Sequence, residues 1–453
     1  MSLVLKDSNF QEGVIKWYHE QSAGYMRAVD ELQRQFNTGT LEVVCLQSYN
    51  PRSHIECPIW YEVKSYDYKR GYQVVNECRF FSSHYIGRFT HDGYSIIVNP
   101  RYGDVFGYLI GYSTNLYLPM GSSELAYNTE NNSYWLIALI WKAMLNKALT
   151  VGQIPKEYIF VRKNQKHFRG HLCINKHIHT NLCNATRFYC SYKKLSMDNT
   201  INQTIRAVYG ILKHKGVSSV IGEFEAYDKY LESMGVNSVI DNASRIDNIR
   251  YTRMSEPYRP VLELSKTILN NYKAESTSSG GTKSDVSYFI DIAELWEMYL
   301  LKLLQNNLSQ EYRVFSPNSN YGTNLLDCNM REIRPDILIE KDGRVIMIID
   351  AKYKNYSHFG KSSDYGIHRD DLYQMSTYLY HFGAQNKSII GIFTSPVENK
   401  QTDDIHFYSA NKKHRIGLVN LEINSASGNI QLIHEFEKNY INQIERELDS
   451  IKD

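Results

Sequence analysis

Asp336, Asp350 and Lys352 are the residues of this chain whose types and spacing point most directly to chemistry. They sit in the run Arg-Pro-Asp-Ile-Leu-Ile-Glu-Lys-Asp-Gly-Arg-Val-Ile-Met-Ile-Ile-Asp-Ala-Lys-Tyr-Lys, residues 334–354. Asp342-Gly343 is a strong hairpin-turn signal. Residues 345–349 are unbroken and apolar, as expected of a strand buried on both faces. Folding the chain back at 342–343 sets Asp336 almost opposite Asp350. Side chains alternate along a strand, so Asp350 and Lys352 share one side and Ala351 takes the other. Two carboxylates and an ammonium then converge where a buried strand ends.

Charged groups at such a point are costly unless they are paired or bound to a metal. Hard divalent cations such as Mg²⁺ take carboxylate oxygens and share phosphate oxygens with a substrate. A lysine beside the ion can orient water and stabilise developing charge. The chemistry implied is metal-assisted hydrolysis of a phosphodiester. The plain alternative is a surface hairpin carrying an ordinary ion pair. Asp-x-Lys alone is common, and the hairpin setting with Pro335 before the first aspartate makes it more specific.

Two helical patterns must position this hairpin. Upstream, residues 288–305 read YFIDIAELWEMYLLKLLQ, with Ile292, Leu295, Trp296, Tyr299, Leu300 and Leu303 at helical spacing. Glu294 and Glu297 lie three apart on about one face, and either can point at the hairpin acids; Glu297 is favoured. Both can equally be solvated helix glutamates. Downstream, residues 369–380 read RDDLYQMSTYLY, with Gln374 and Tyr378 at i,i+4. Gln374 can hydrogen-bond the lysine, a water or a phosphate, or stand as an ordinary surface amide.

This order resembles the PD-(D/E)xK nuclease superfamily: helix with Glu, strand with Asp, strand with Asp-x-Lys, helix with Gln-xxx-Tyr. The resemblance implies Asp336 and Asp350 as metal ligands, joined by the main-chain carbonyl of Ala351. It implies Lys352 as the catalytic lysine, Glu297 as the helix acid and Gln374 as the accessory residue. Mg²⁺ is the expected cofactor, with Mn²⁺ able to substitute. A second resemblance covers most of residues 40–400. Ile97-Val-Asn-Pro-Arg-Tyr-Gly103, Phe106-Gly-Tyr-Leu-Ile110, Phe168-Arg-Gly170, Phe188-Tyr-Cys190 and Asp198-Asn-Thr-Ile-Asn202 are similar to McrC proteins, the nuclease subunits of McrBC modification-dependent restriction systems. That resemblance implies DNA as substrate, an N-terminal domain that plugs into a hexameric AAA+ GTPase or ATPase ring of McrB type, and a C-terminal domain that cuts. The leading helix and a Ser/Gly-rich loop at 273–285 depart from the family pattern.

The chain carries no GxxxxGK[ST], so it is expected to bind no nucleotide through a P-loop. No Gly-x-Ser-x-Gly nucleophile elbow occurs. No apolar run reaches the ~18–20 residues needed to span a bilayer, and the first residues lack a signal-peptide core, so a cytoplasmic protein without membrane partners is expected. Seven scattered cysteines without CxxC fit reduced thiols. His171, Cys173, His177, His179, Cys183 and Cys190 match no common structural zinc spacing. The formal net charge is only +2, yet residues 155–215 hold twelve Lys/Arg against two acids. Such a block suits phosphate contacts, an acidic partner or a solvated face.

The expected fold is α/β, α+β overall. Residues 1–150 form a β-rich, partner-docking domain with a leading amphipathic helix over 9–36 and strands across 40–118. Residues 151–256 form the basic middle segment. Residues 257–453 form a PD-(D/E)xK restriction-endonuclease-like domain, a central mixed sheet flanked by helices, with the flexible loop at 273–285. Further helices are expected over 133–149, 200–214 with an Asp198-Asn199 cap, 259–272 and 431–451. The expected function is a Mg²⁺-dependent endonuclease subunit. A stand-alone DNA nuclease would cut without a motor, and a regulatory subunit would stimulate a partner NTPase without cutting.

Overall fold

A computed structural model describes residues 2–7, 15–38, 41, 43–44, 57–66, 75–114, 134–184, 186–239, 241, 243–277, 287–317, 323–324, 332–353, 367, 369–383, 388–397, 405–408, 413–423 and 430–451. The chain divides into two compact units, Met1–Asn132 with Ser287–Asp453, and Ser133–Val286. The limits expected at 150 and 256 fall elsewhere. The reason is the helix Trp135–Val151, apolar almost all round, which buries itself against Arg259–Thr277 and so draws both helices into one unit.

The first unit holds a six-stranded sheet. Its order is Tyr312–Phe315, Ile337–Lys341, Arg344–Ala351, Ile390–Thr394, Arg415–Leu418, Ile405–Tyr408. The pairing is mixed: Arg344–Ala351 runs antiparallel to Ile337–Lys341 and parallel to Ile390–Thr394. Every residue of Ile390–Thr394 is buried, as suits a strand covered on both faces. The helix Arg369–Phe382 closes one face, packing Met375, Tyr378 and Leu379 against Leu338, Ile348 and Phe393.

A second sheet in the same unit has the order Ser2–Lys6, Tyr94–Asn99, Tyr85–His91, Tyr288–Asp291, Val43–Val44. Tyr288–Asp291 was expected to open a helix; it is a strand antiparallel to Tyr85–His91, and the helix Ile292–Asn307 begins only after it. Gly87 makes this pairing possible. Its φ is +152°, and a Cβ there would stand 2.1 Å from the Tyr288 carbonyl oxygen. The leading helix is His19–Asn37; Ile15–Tyr18 before it pairs antiparallel with the strand Val75–Ser82. Its β-branched Ile15 and aromatic Trp17 and Tyr18 suit a strand. Residues 9–14, the start of the helix expected over 9–36, lie outside the described residues. Gly103–Thr114, expected in a β-rich stretch, is a helix buried continuously from Val105 to Gly111.

The second unit packs the helices Trp135–Val151, Thr200–His214 and Arg259–Thr277 together. Asn199 caps the middle one, accepting from the Asn202 backbone N–H at 3.1 Å. The last runs to Thr277, so the expected loop at 273–285 starts as helix, and its residues 278–285 lie outside the described ones. A three-stranded sheet, Glu157–Gln165, Phe188–Ser196 and His171–Leu172, leaves Tyr158, Phe160 and Leu195 exposed. Residues 174–181 between its strands are helical. Among the described residues no helix is long and apolar enough to cross a membrane.

Candidate active site

The hairpin Ile337–Lys341 and Arg344–Ala351 turns at Asp342 and Gly343, whose φ values of 51° and 74° are what a two-residue hairpin turn with both central residues left-handed requires. Its register pairs Ile337 with Ile349, so Asp336 and Asp350 meet across the ends of the strands. The Ala351 backbone N–H donates to Asp336 Oδ2 at 2.8 Å. Asp350 is buried and Asp336 partly so. Lys352 follows the last strand residue, and its backbone N–H donates to the Thr394 carbonyl at 2.9 Å, extending the sheet by one bond.

The Lys352 ammonium collects three partners. Nζ lies 2.8 Å from Asp350 Oδ2 and 3.4 Å from Asp371 Oδ1, and donates to Gln374 Oε1 at 3.0 Å. Asp350 Oδ2 is within ion-pair distance of the ammonium but completes no aligned hydrogen bond. Gln374 is oriented from behind: its Nε2 donates to the Tyr378 hydroxyl at 2.7 Å, which donates to the Arg334 carbonyl at 3.0 Å. That last bond ties the helix Arg369–Phe382 to the residue two before Asp336.

Asp291 accepts from the backbone N–H groups of Ala293 at 2.9 Å and Glu294 at 3.2 Å, capping the helix that carries Glu297. Glu297 is buried, and it is the first charged group acting on Asp336. Glu294 lies in the first turn of that helix, its backbone N–H taken by the Asp291 cap. Burial pushes the Asp336 carboxyl well above the usual carboxylate range, and Glu297 and Asp350 push it further; Lys352 and the Ala351 N–H oppose them without winning. Burial alone would lower the Lys352 ammonium, yet Asp350, Asp336 and Asp371 overcome it and hold the proton firmly.

All five side chains anticipated from the sequence, Asp336, Asp350, Lys352, Glu297 and Gln374, therefore belong to one neighbourhood. Asp371 is an addition. A signal for it existed, since Asp371, Gln374 and Tyr378 fall at i, i+3 and i+7 on one helix face. Among the described residues no three His, Cys, Asp or Glu side chains are gathered around a common metal position. The donor set nevertheless suits a hard divalent cation: oxygen ligands only, one buried carboxylate oxygen short of a hydrogen bond, and an Asp336 carboxyl raised first by burial and then by its neighbours Glu297 and Asp350.

A family model described as "McrBC 5-methylcytosine restriction system component" matches residues 83–393. The chain belongs to that family. No curated protein matches the chain. A solved structure described as a refined half-complex from a tetradecameric assembly of Thermococcus gammatolerans McrB AAA+ hexamers with bound McrC contains a similar chain. That chain is 18% identical with a TM-score of 0.53, and the match covers 98% of this chain and 100% of that one. A structure described as the cryo-EM structure of the Thermococcus gammatolerans McrBC complex matches at 16% identity and a TM-score of 0.36, covering 68% of this chain and 89% of the other. The first likeness gives this McrBC-family member an McrC-like fold. The matched segment spans both the Ile97–Gly103 motif and the hairpin.

Proposed function

We propose that this McrBC-family chain is the nuclease subunit of a restriction system, a Mg²⁺-dependent DNA endonuclease of PD-(D/E)xK type that works with an AAA+ NTPase ring of McrB type. The observation that carries the reading is the convergence of Asp336, Asp350 and a triply held Lys352 at the end of one buried hairpin. An ion pair serving stability alone would need neither the second aspartate nor the buried Glu297 beside it. The partner is assigned from the family and from what the Thermococcus assembly is described as containing.

Asp336 and Asp350 would hold the cation, with the Ala351 carbonyl beside them. When bound, Mg²⁺ supplies Lewis-acid activation of water and offsets charge on the phosphate. Lys352 stays protonated in this setting, so it acts as a donor and not as a base. It orients the attacking water and stabilises charge developing on the phosphoryl oxygens. Gln374 and Asp371 keep its ammonium aimed, and Tyr378 keeps Gln374 from rotating. Glu297 adds negative charge next to Asp336, which raises the demand for a cation at that place.

The test is cleavage of methylated and unmethylated plasmid with Mg²⁺, by wild type and Asp350→Ala, each with and without the partner NTPase and its nucleotide. Cutting that needs both Asp350 and the partner is the expected result. Cutting by the variant at the wild-type rate would overturn the site assignment. Cutting without the partner would make the chain a stand-alone nuclease. Stimulated NTP hydrolysis with no Asp350-dependent cutting would make it a regulatory subunit.

A further inference from the structure

The Ile97-Val-Asn-Pro-Arg-Tyr-Gly103 motif reaches the end of the Asp350-Ala351-Lys352 strand. Ser2–Lys6 pairs in parallel with Tyr94–Asn99, and the Asp7 N–H donates to the Asn99 carbonyl at 2.9 Å, bringing Asp7 alongside Arg101. Asp7 is completely buried. Its Oδ1 accepts from the Arg101 backbone N–H, and its Oδ2 lies 3.4 Å from Arg101 Nε. The guanidinium then donates through Nη2 to the Tyr353 carbonyl at 3.2 Å. Its carbon sits 4.7 Å from the Tyr353 ring centroid and 5.4 Å from that of Tyr102. Tyr102 donates to the Pro396 carbonyl at 3.1 Å, next to the strand that accepts from Lys352.

A buried Asp–Arg pair adds little net stability, because desolvation of both charges offsets most of their attraction. What this pair does locally is fix a carbonyl one residue after Lys352 and three after Asp350. The strand ends at Ala351, and Lys352 is held by the sheet through a single backbone bond. A site of this kind needs its groups held to within about 0.5 Å, and a misplacement of about 1 Å can cost on the order of 100-fold in rate. We propose that Arg101, set by Asp7, is a positioning residue that clamps the backbone at Tyr353 and thereby fixes Lys352 and Asp350. This rests on the nuclease reading above, and it makes the amino-terminal strand a working part of the hydrolytic centre.

Arg101→Lys in the full chain tests it. Lysine keeps a cation for Asp7 but lacks the fork that reaches the carboxylate and the Tyr353 carbonyl together. The readouts are the melting temperature in EDTA, the rise in melting temperature on adding Mg²⁺, and the Mg²⁺ concentration for half-maximal cleavage with the partner present. The expected result is an EDTA melting temperature close to wild type, a cleavage rate about 10- to 100-fold lower, and a half-maximal Mg²⁺ concentration on the order of 10-fold higher. A purely structural role would reduce the folded fraction without moving that concentration. Unchanged rate and Mg²⁺ dependence would overturn the proposal. If Arg101→Lys does not fold, Asp7→Asn is read in the same way, and failure of both to fold would make the clamp a folding element and overturn positioning. If wild type cuts nothing in any mixture, the nuclease reading has failed separately. The Mg²⁺-induced melting shift then decides positioning, and an equal shift in both proteins, or none in either, counts against it.

Discussion

Replacing Lys352 with Met keeps the length of the side chain and removes a cation placed beside three carboxylates, Asp350, Asp336 and Asp371. The ammonium is 2.8 Å from Asp350 and 3.4 Å from Asp371, with its side chain only 16% exposed. Removing one partner of a buried ion pair costs about 3–5 kcal/mol, because the other charge is left uncompensated. Some solvent access puts the cost near the lower end, about 3 kcal/mol at neutral pH. At about 1–2 °C per kcal/mol for a unit of this size, the melting temperature should fall by about 3–6 °C. The Lys352 proton is held more tightly folded than unfolded, so its contribution is full at all pH below the ordinary lysine value and is lost only in strong alkali. The pH dependence of the gap therefore comes from Asp336, whose carboxyl is raised by burial and by Glu297 and Asp350: the gap should shrink as pH falls through that raised value. Thermal melts of wild type and Lys352→Met in EDTA, at neutral and acid pH, measure this directly. Adding Mg²⁺ should restore more stability to the variant than to wild type; a ligand at 100 times its dissociation constant returns about 2.7 kcal/mol. Cleavage by the variant should fall to background. Equal melting temperatures in EDTA at neutral pH would refute the charge argument, and wild-type cutting would refute the catalytic one.

Asp336→Asn should separate from wild type with the opposite pH trend. A carboxyl raised by burial and by Glu297 and Asp350 favours folding below its ordinary value of about 4 and loses that contribution as pH rises through its folded value. In EDTA, wild type should therefore lose melting temperature relative to Asp336→Asn as pH rises above about 4, and parallel curves would show that the carboxylates are not crowded. Gly87→Ala should break the pairing of Tyr85–His91 with Tyr288–Asp291, since the added methyl meets the Tyr288 carbonyl oxygen at 2.1 Å; a loss of at least about 1–3 kcal/mol in denaturant melts is expected, and near-wild-type stability would mean the sheet has room to shift.

The hairpin was legible because everything that specifies it is local. Asp342-Gly343 fixes the turn and its first pairs, Lys341 with Arg344 and Glu340 with Val345; a one-residue irregularity at Ile339/Glu340, which the sequence does not announce, then shifts the register so that Asp336 meets Asp350. The cap at Asn199 and the final helix Ile430–Asp449 were readable for the same reason. Partners distant in sequence were not. Tyr288–Asp291 continues into a helical pattern, and nothing in its own four residues says that Tyr85–His91, about two hundred positions earlier, will pair with it. Gly103–Thr114 misled by being apolar in an unbroken run, which strands and buried helices share. Asp371 was missed although its spacing to Gln374 was visible, because Asp370 beside it is the same residue type and only burial tells them apart: Asp370 is exposed and Asp371 is 6% exposed.

These long-range pairings decide what counts as the site. The helix with Glu297 is launched from a strand that belongs to the amino-terminal sheet, and its cap Asp291 is the last residue of that strand. Tyr353, next to Lys352, is held by Arg101 and faces Asp7. Buried Glu437 on the final helix accepts from Tyr108 at 2.6 Å and Tyr299 at 2.7 Å, joining an amino-terminal helix to the Glu297 helix through one carboxylate. Three separate polar connections thus run from residues before 115 to the neighbourhood of Asp336, Asp350 and Lys352. The Ser133–Val286 unit is an insertion in sequence between the two segments of one compact unit, so Asp7 and Arg101 belong to the same unit as Asp336, Asp350 and Lys352.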